Sequence, residues 1–318
     1  MTAAAFRRIL PLFCLLAVPA ALSAGPKRQS EQFSLALSAG VRQSEVGFAP
    51  DPVAATDSVK TASVQDYARL DSLLQGFYKV LEFAPLEDKC SEVDFLISTC
   101  TDSLTRQRVA LSIFDHYRDS NLMGDESVAI YLYDNWFEPG KVKFQGQMDK
   151  MDAEMFVRFN RQSLIGCDAP RLTLRKPCGG KETVPKEGEV SVLFFYDTSC
   201  AKCRLTAELL PAALSDIDFR LQFYAINCGA DRREWKRFRR SFRLDNKNVK
   251  LHHLWDPELD SDYPLKYSVI GTPRIYCIEP QGTIIGRRLE MDSLKEVLKI
   301  AGAIKSVYDR YGVIEAGE

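Results

Sequence analysis

"FYDTSCAKCR", Phe195 to Arg204, sets two cysteines three positions apart. The apolar run "VLFFY" (Val192–Tyr196) leads into it and reads as a strand. "AKCRLTAELLPAALSDI" reads as a helix that opens at Cys200, with Pro211 expected to kink or end it. A helix N-terminus presents unpaired N–H groups and a partial positive charge, and both favour a thiolate. The thiolate is the nucleophile in disulfide exchange. Lys202 and Arg204 add positive charge, whereas Asp197 would oppose the shift if close, or relay protons. Cys203, one turn into the helix, is placed to resolve a mixed disulfide. A zinc site would need a second ligand pair. Apart from Cys14 in the leader, the other cysteines are dispersed, at 90, 100, 167, 178, 228 and 277, and His252-His253 is adjacent rather than spaced, so no metal is expected. A purely structural disulfide leaves the helix-start position and Lys202 unexplained.

The second signature is "VIGTPRIYCI" (Val269–Ile278). Thr272-Pro273 opens a strand, where proline costs no interior ladder bond, and is a candidate cis bond. Its exposed backbone can pair with an extended substrate segment beside the dithiol. Around these two signatures, "LTL" (Leu172–Leu174), Phe219–Cys228 and Val249–Trp255 read as strands. Asp231–Phe242 reads as a helix. "TPRIYCIEPQGTIIGRRL" reads as two strands around Gln281-Gly282, and Met291–Gly312 as a closing helix. Alternating strands and helices that end in a hairpin and a helix imply an α/β sandwich.

A strand, a CxxC at a helix start and a Gly-Thr-Pro about seventy residues later resemble a thioredoxin fold. "LIGCDAPRLTL" (Leu164–Leu174), "LWDPE" (Leu254–Glu258) and "YCIEPQGTIIGRRL" refine this, because they resemble the TlpA/ResA-like thiol-disulfide oxidoreductase branch. The resemblance covers Leu164 to the C-terminus. It implies that Cys200 attacks, Cys203 resolves, Thr272 and Pro273 line the substrate groove, and no cofactor is needed. The sequence departs from the family where Ser199 replaces a common Trp and Lys202 a common Pro. It also carries Phe194 where thioredoxins proper hold an Asp, so proton transfer needs water or another group, Asp197 among them. The peroxiredoxin pattern Pro-x-x-x-Thr-x-x-Cys is absent, since Leu193 and Asp197 hold its first two positions.

Further out, the 318-residue chain is 46% hydrophobic and 27% charged, enough for a core in each of two domains. A net charge of −1 gives no global attraction to nucleic acid or anionic membranes. Arg7-Arg8 followed by "ILPLFCLLAVPAALSA" has the anatomy of a secretory signal peptide over residues 1–24. That implies a periplasmic or cell-envelope location, where disulfides persist. Residues 25–62 read as a disordered linker. Residues 63–161 read as an all-α domain from helical runs at Tyr67–Leu81, Leu104–Tyr117, Ser127–Trp136 and Asp152–Asn160, with His116 as a surface or capping residue. Residues 164–318 form the thioredoxin-like domain. "DRREWKRFRRSFR" holds seven basic side chains between Arg232 and Arg243. Its preferred reading is a solvated face opposite Trp235, Phe238 and Phe242, with docking of an acidic partner as the alternative. Cys228 and Cys277 read as buried, unreactive thiols on strands. Cys90 with Cys100, and Cys167 with Cys178, can form disulfides that spacing alone does not assign.

The sequence therefore implies an envelope thiol-disulfide oxidoreductase. Its partners would be protein disulfides and a membrane thiol-transfer electron donor. The alternative is a non-catalytic adaptor of the same fold.

Overall fold

The computed structural model describes residues 55–312, with side chains from Tyr67 onward. The segment read as a signal peptide, and most of the linker, lie outside the described residues. These divide into two compact units, one ending at Ala153 and one beginning at Glu154.

The helical unit contains α1 (Ala55–Leu81), α2 (Leu86–Thr99), α3 (Ser103–Arg118), α4 (Glu126–Leu132) with a π-helical turn Tyr133–Phe137, and the start of α5 (Gln147–Asn160). α1 begins inside the stretch read as linker. No Pro or Gly lies between residues 55 and 62, so the middling propensities of Thr, Ser and Asp there do not stop the helix. Asp102 caps α3 by accepting the Thr105 N–H at 2.8 Å. α2 was absent from the sequence reading, although Cys90, Val93, Leu96 and Ile97 are buried along one of its faces. His116 is half-buried and stacks on Tyr78, with centroids 3.7 Å apart. The helix face therefore turns it onto a ring rather than leaving it at the surface.

The second unit holds one seven-stranded sheet in the order β2-β1-β5-β4-β3-β6-β7. The strands are β1 (Leu172–Arg175), β2 (Lys181–Val184), β3 (Val190–Tyr196), β4 (Leu221–Asn227), β5 (Val249–Trp255), β6 (Arg274–Ile278) and β7 (Ile284–Arg287). β3, β4 and β5 are parallel, whereas β6 runs antiparallel to β3 and β7 antiparallel to β6. The helices are α6 (Ala201–Ala213), α7 (Arg232–Ser241), the single turn α8 (Tyr263–Lys266) and α9 (Met291–Tyr311). α6 outlasts Pro211 by two residues, because so close to the end the proline forfeits little of the helical ladder. Gly282, at φ +97°, makes the β6–β7 turn.

β3 is the centre of the sheet, and all seven of its residues are buried. Alternation sends Val192, Phe194 and Tyr196 into the core that α6, α7 and α9 cover. Leu193 and Phe195 enter the core on the other face. Phe194 packs against Tyr196, Phe223 and Phe242 with centroids 5.2, 6.3 and 6.4 Å away. Phe194→Ala should therefore cost about 3–5 kcal/mol in urea unfolding; a loss below 1 kcal/mol would mean that this strand is not the centre of the core.

Candidate active site

The site is built where β3 ends and α6 begins. Cys200 is the N-cap of α6, with extended backbone, and its sulfur accepts the Cys203 N–H at 3.1 Å. A sulfur here takes the place of the usual capping oxygen and meets one of the orphan donors of the first turn. The Cys200 thiol lies 3.5 Å from the Thr272 carbonyl oxygen, to which it donates. The Thr272–Pro273 bond is cis. The loop before β6 is thus brought against the sulfur from 72 residues away. Cys200 is half-buried, and Cys203 is only 1% exposed.

The two thiols are driven apart electrostatically. Partial burial pushes Cys200 up, but hydrogen bonds to its sulfur from Cys203, the Thr272 side chain and the Lys202 N–H outweigh this and lower its pKa. Burial, and then the hydrogen bond to Cys200, push Cys203 up to about 11. The ammonium of Lys202 is turned away to Glu290, 2.8 Å distant, in an exposed ion pair. Its contribution to the sulfur is the backbone N–H, not the side-chain charge. Arg204 likewise spends its guanidinium on the Thr198 and Ser199 carbonyls, at 3.0 and 3.2 Å, which holds the loop before Cys200.

Asp197 accepts the Ser199 N–H and hydroxyl at 2.8 and 2.7 Å, a local turn that shapes the same loop. Its carboxylate faces Gly229, where a Cβ would stand 2.9 Å from Asp197 Oδ1, so only glycine admits this approach. The Gly229 carbonyl is fixed by the Trp255 indole N–H at 2.7 Å and the Asn227 amide at 2.9 Å. Cys228 lies just past the end of β4 and is half-buried. Burial pushes its thiol up to about 12, with Tyr263, Asp197 and Cys203 around it. Cys277 is buried on β6.

One solved structure shares this architecture over most of the chain. A thioredoxin-like protein from Bacteroides caccae superposes with a TM-score of 0.59 over 90% of this chain and 98% of its own, at 14% identity. The fold is thioredoxin-like. The thioredoxin domain of a thiol-disulfide oxidoreductase from Bacteroides vulgatus matches 43% of this chain and 96% of its own, at 19% identity and a TM-score of 0.38. No family model matches the sequence, and no curated protein does. Within this thioredoxin-like unit the structure brings Cys200, Cys203, Thr272 and Pro273 together, with Asp197 at the edge and the Lys202 side chain pointing outward. The sequence reading did not identify Glu290, Gly229 or the role of Arg204 as a loop clasp. All eight described cysteines are free thiols, Cys90, Cys100, Cys167 and Cys178 included. Among the described residues no group of His, Cys, Asp and Glu is arranged to hold a metal ion, and no helix is long and apolar enough to cross a membrane.

Proposed function

We propose that this protein is a thiol-disulfide oxidoreductase of the cell envelope that reduces disulfides in other proteins. The observation that carries the reading is the split between the two thiols. One is half-exposed, capped and lowered in pKa, and the other is buried and pushed up to about 11. Thiolate attack needs the first, and delayed resolution needs the second.

The Cys200 thiolate attacks one sulfur of a substrate disulfide. A bond forms between Cys200 and that sulfur, and the other substrate sulfur leaves as a thiolate that takes up a proton. Cys203 then loses its proton and attacks Cys200 Sγ. The Cys200–Cys203 disulfide forms and the second substrate thiol departs. Two electrons pass from the protein dithiol to the substrate. An external dithiol, in this reading that of a membrane thiol-transfer protein, restores the reduced state. The loop Ile270–Pro273 supports the substrate, with Ile270 three-quarters exposed at its rim. The signal-like N-terminus and the TlpA/ResA-like motifs favour the envelope and the reductive direction.

Removing the resolving thiol tests the scheme. Cys203→Ser should accumulate mixed disulfides through Cys200 when mixed with oxidised protein substrates, seen as reducible adducts by mass spectrometry. Absence of adducts, together with no reduction of disulfides by the wild type, would leave an adaptor role as the better reading.

A further inference from the structure

The basic helix α7 lies beside this dithiol, and four of its cations are unspent. Between Arg232 and Arg243 seven basic side chains face one carboxylate, a net +6 in a chain of net −1. The single acid, Glu234, is paired with Arg237 at 2.7 Å. Arg239 lies over the Trp235 ring at 5.3 Å, and Arg243 donates to the Arg239 carbonyl at 2.9 Å. Arg232, Lys236, Arg240 and the Arg233 guanidinium make no hydrogen bond or ion pair among the described residues, and all four residues are exposed. Arg232 with Lys236, Arg233 with Arg237, and Lys236 with Arg240 are like-charge pairs at four-residue spacing, each destabilising to the helix on its own. An anion laid along this face would relieve all of them together.

The topology puts that face at the active-site edge. α6 follows β3, α7 follows β4, and the two strands are parallel, so both helices start from the same edge of the sheet. They also share one core, which contains both Cys203 and Trp235. The segment leading into α7 abuts the loop before Cys200 through the Gly229–Asp197 approach, and Tyr196 packs on Phe238 with centroids 4.4 Å apart. A polypeptide bound across the dithiol therefore runs beside the cations.

We infer that α7 selects disulfide substrates whose flanking sequence is acidic, the four unpaired cations steering them onto Cys200. This rests on the oxidoreductase reading above. An anionic bilayer is the poorer occupant. Membrane-bound basic helices insert an apolar face, whereas here Trp235 and Phe242 are buried in the protein's own core and α7 exposes no large apolar side chain. Nucleic acid is poorer still, since no exposed aromatic platform accompanies the cations.

Two peptides closed by the same disulfide loop, one flanked by glutamates and the other by lysines, test this with the pre-reduced full chain in single turnover. The acidic peptide should be reduced at least about tenfold faster at low ionic strength, and the gap should narrow as salt screens it. The quadruple variant Arg232→Glu, Arg233→Glu, Lys236→Glu, Arg240→Glu should invert the preference, and the corresponding glutamine variant should erase it. Circular dichroism confirms that both remain folded. Equal rates for the two peptides in the wild type would overturn the docking inference alone. A preference that survives both variants would do the same, as would loss of the acidic peptide's advantage through binding to anionic phospholipid vesicles. No reduction of either peptide would overturn the oxidoreductase reading and this inference with it.

Discussion

Iodoacetamide offered to the reduced protein at pH 7 should modify Cys200 at least about tenfold faster than Cys203. Cys203 is pushed up to about 11 and hydrogen bonds lower Cys200 from an ordinary thiol's 9.0, so at pH 7 Cys200 holds at least about a hundred times more thiolate. The weaker basicity of a low-pKa thiolate returns about six- to tenfold of this. Burial then acts in the same direction, because Cys203 is 1% exposed and the reagent must reach the sulfur. The pH profiles should differ in sign-determined ways. The Cys200 profile has its midpoint below that of an ordinary thiol, whereas the Cys203 rate is still climbing at pH 10. Peptide mapping of the labelled protein reads both. Equal labelling of the two cysteines, or a Cys200 midpoint no lower than that of an ordinary thiol, would remove the electrostatic basis of the proposed mechanism.

What the sequence made legible follows from which interactions are local. The strand–loop–helix around Cys200 could be read because its parts carry their own signals: an apolar run, a polar break and a helix whose first donors need a cap. Thr272-Pro273 was legible because its chemistry excludes an interior strand position. β2 was not seen, since Lys181, Glu182 and Thr183 leave only Val184 buried and an edge strand shows little alternation. α8 is a single turn with no periodicity to detect. The orientation of Lys202 was illegible for a different reason. Adjacency to two cysteines suggested a charge aimed at sulfur, but a helical side chain at that position faces outward, and its partner Glu290 is 88 residues away. Spacing reports backbone neighbours. It does not report which distant carboxylate competes for an ammonium. The missed helix α2 had a readable pattern, but Cys90 and the buried Lys89, paired with Asp125 at 2.6 Å, do not score as core residues until the partner is known.

The reduced protein should lose stability steeply above pH 8.5. Cys90, Cys100, Cys203 and Cys277 are all buried, and burial pushes their thiols up to about 12, 11, 11 and 12. Burial likewise pushes the half-buried Cys228 up to about 12. Each is a group whose folded pKa exceeds its unfolded value. Its contribution is therefore intact below about pH 8.5 and declines as pH rises, because the unfolded chain releases a proton that the folded chain retains. The slope is about 1.4 kcal/mol per pH unit for each thiol. Cys200 works in the opposite sense. Its lowered pKa adds stability between that value and about 8.5 and nothing further beyond. Between pH 8.5 and 10 the helical unit, with Cys90 and Cys100, should lose about 3 kcal/mol and the sheet unit, with Cys203, Cys228 and Cys277, about 5 kcal/mol, a large part of the 5–15 kcal/mol typical of a domain. The buried tyrosines, half ionised at about pH 10 in the unfolded chain and pushed up by burial in the folded one, add to the loss in the same direction, so a cysteine variant is needed to isolate the thiol part. Urea unfolding in a phosphine reductant at pH 8 and pH 10 tests this, with Cys277→Ala reducing the alkaline loss of the sheet unit by about 2 kcal/mol and leaving that of the helical unit unchanged. An unfolding midpoint that holds steady from pH 8 to 10 would mean that these thiols are not buried as neutral groups, and the retained proton on Cys203, on which the ordering of attack and resolution depends, would go with it.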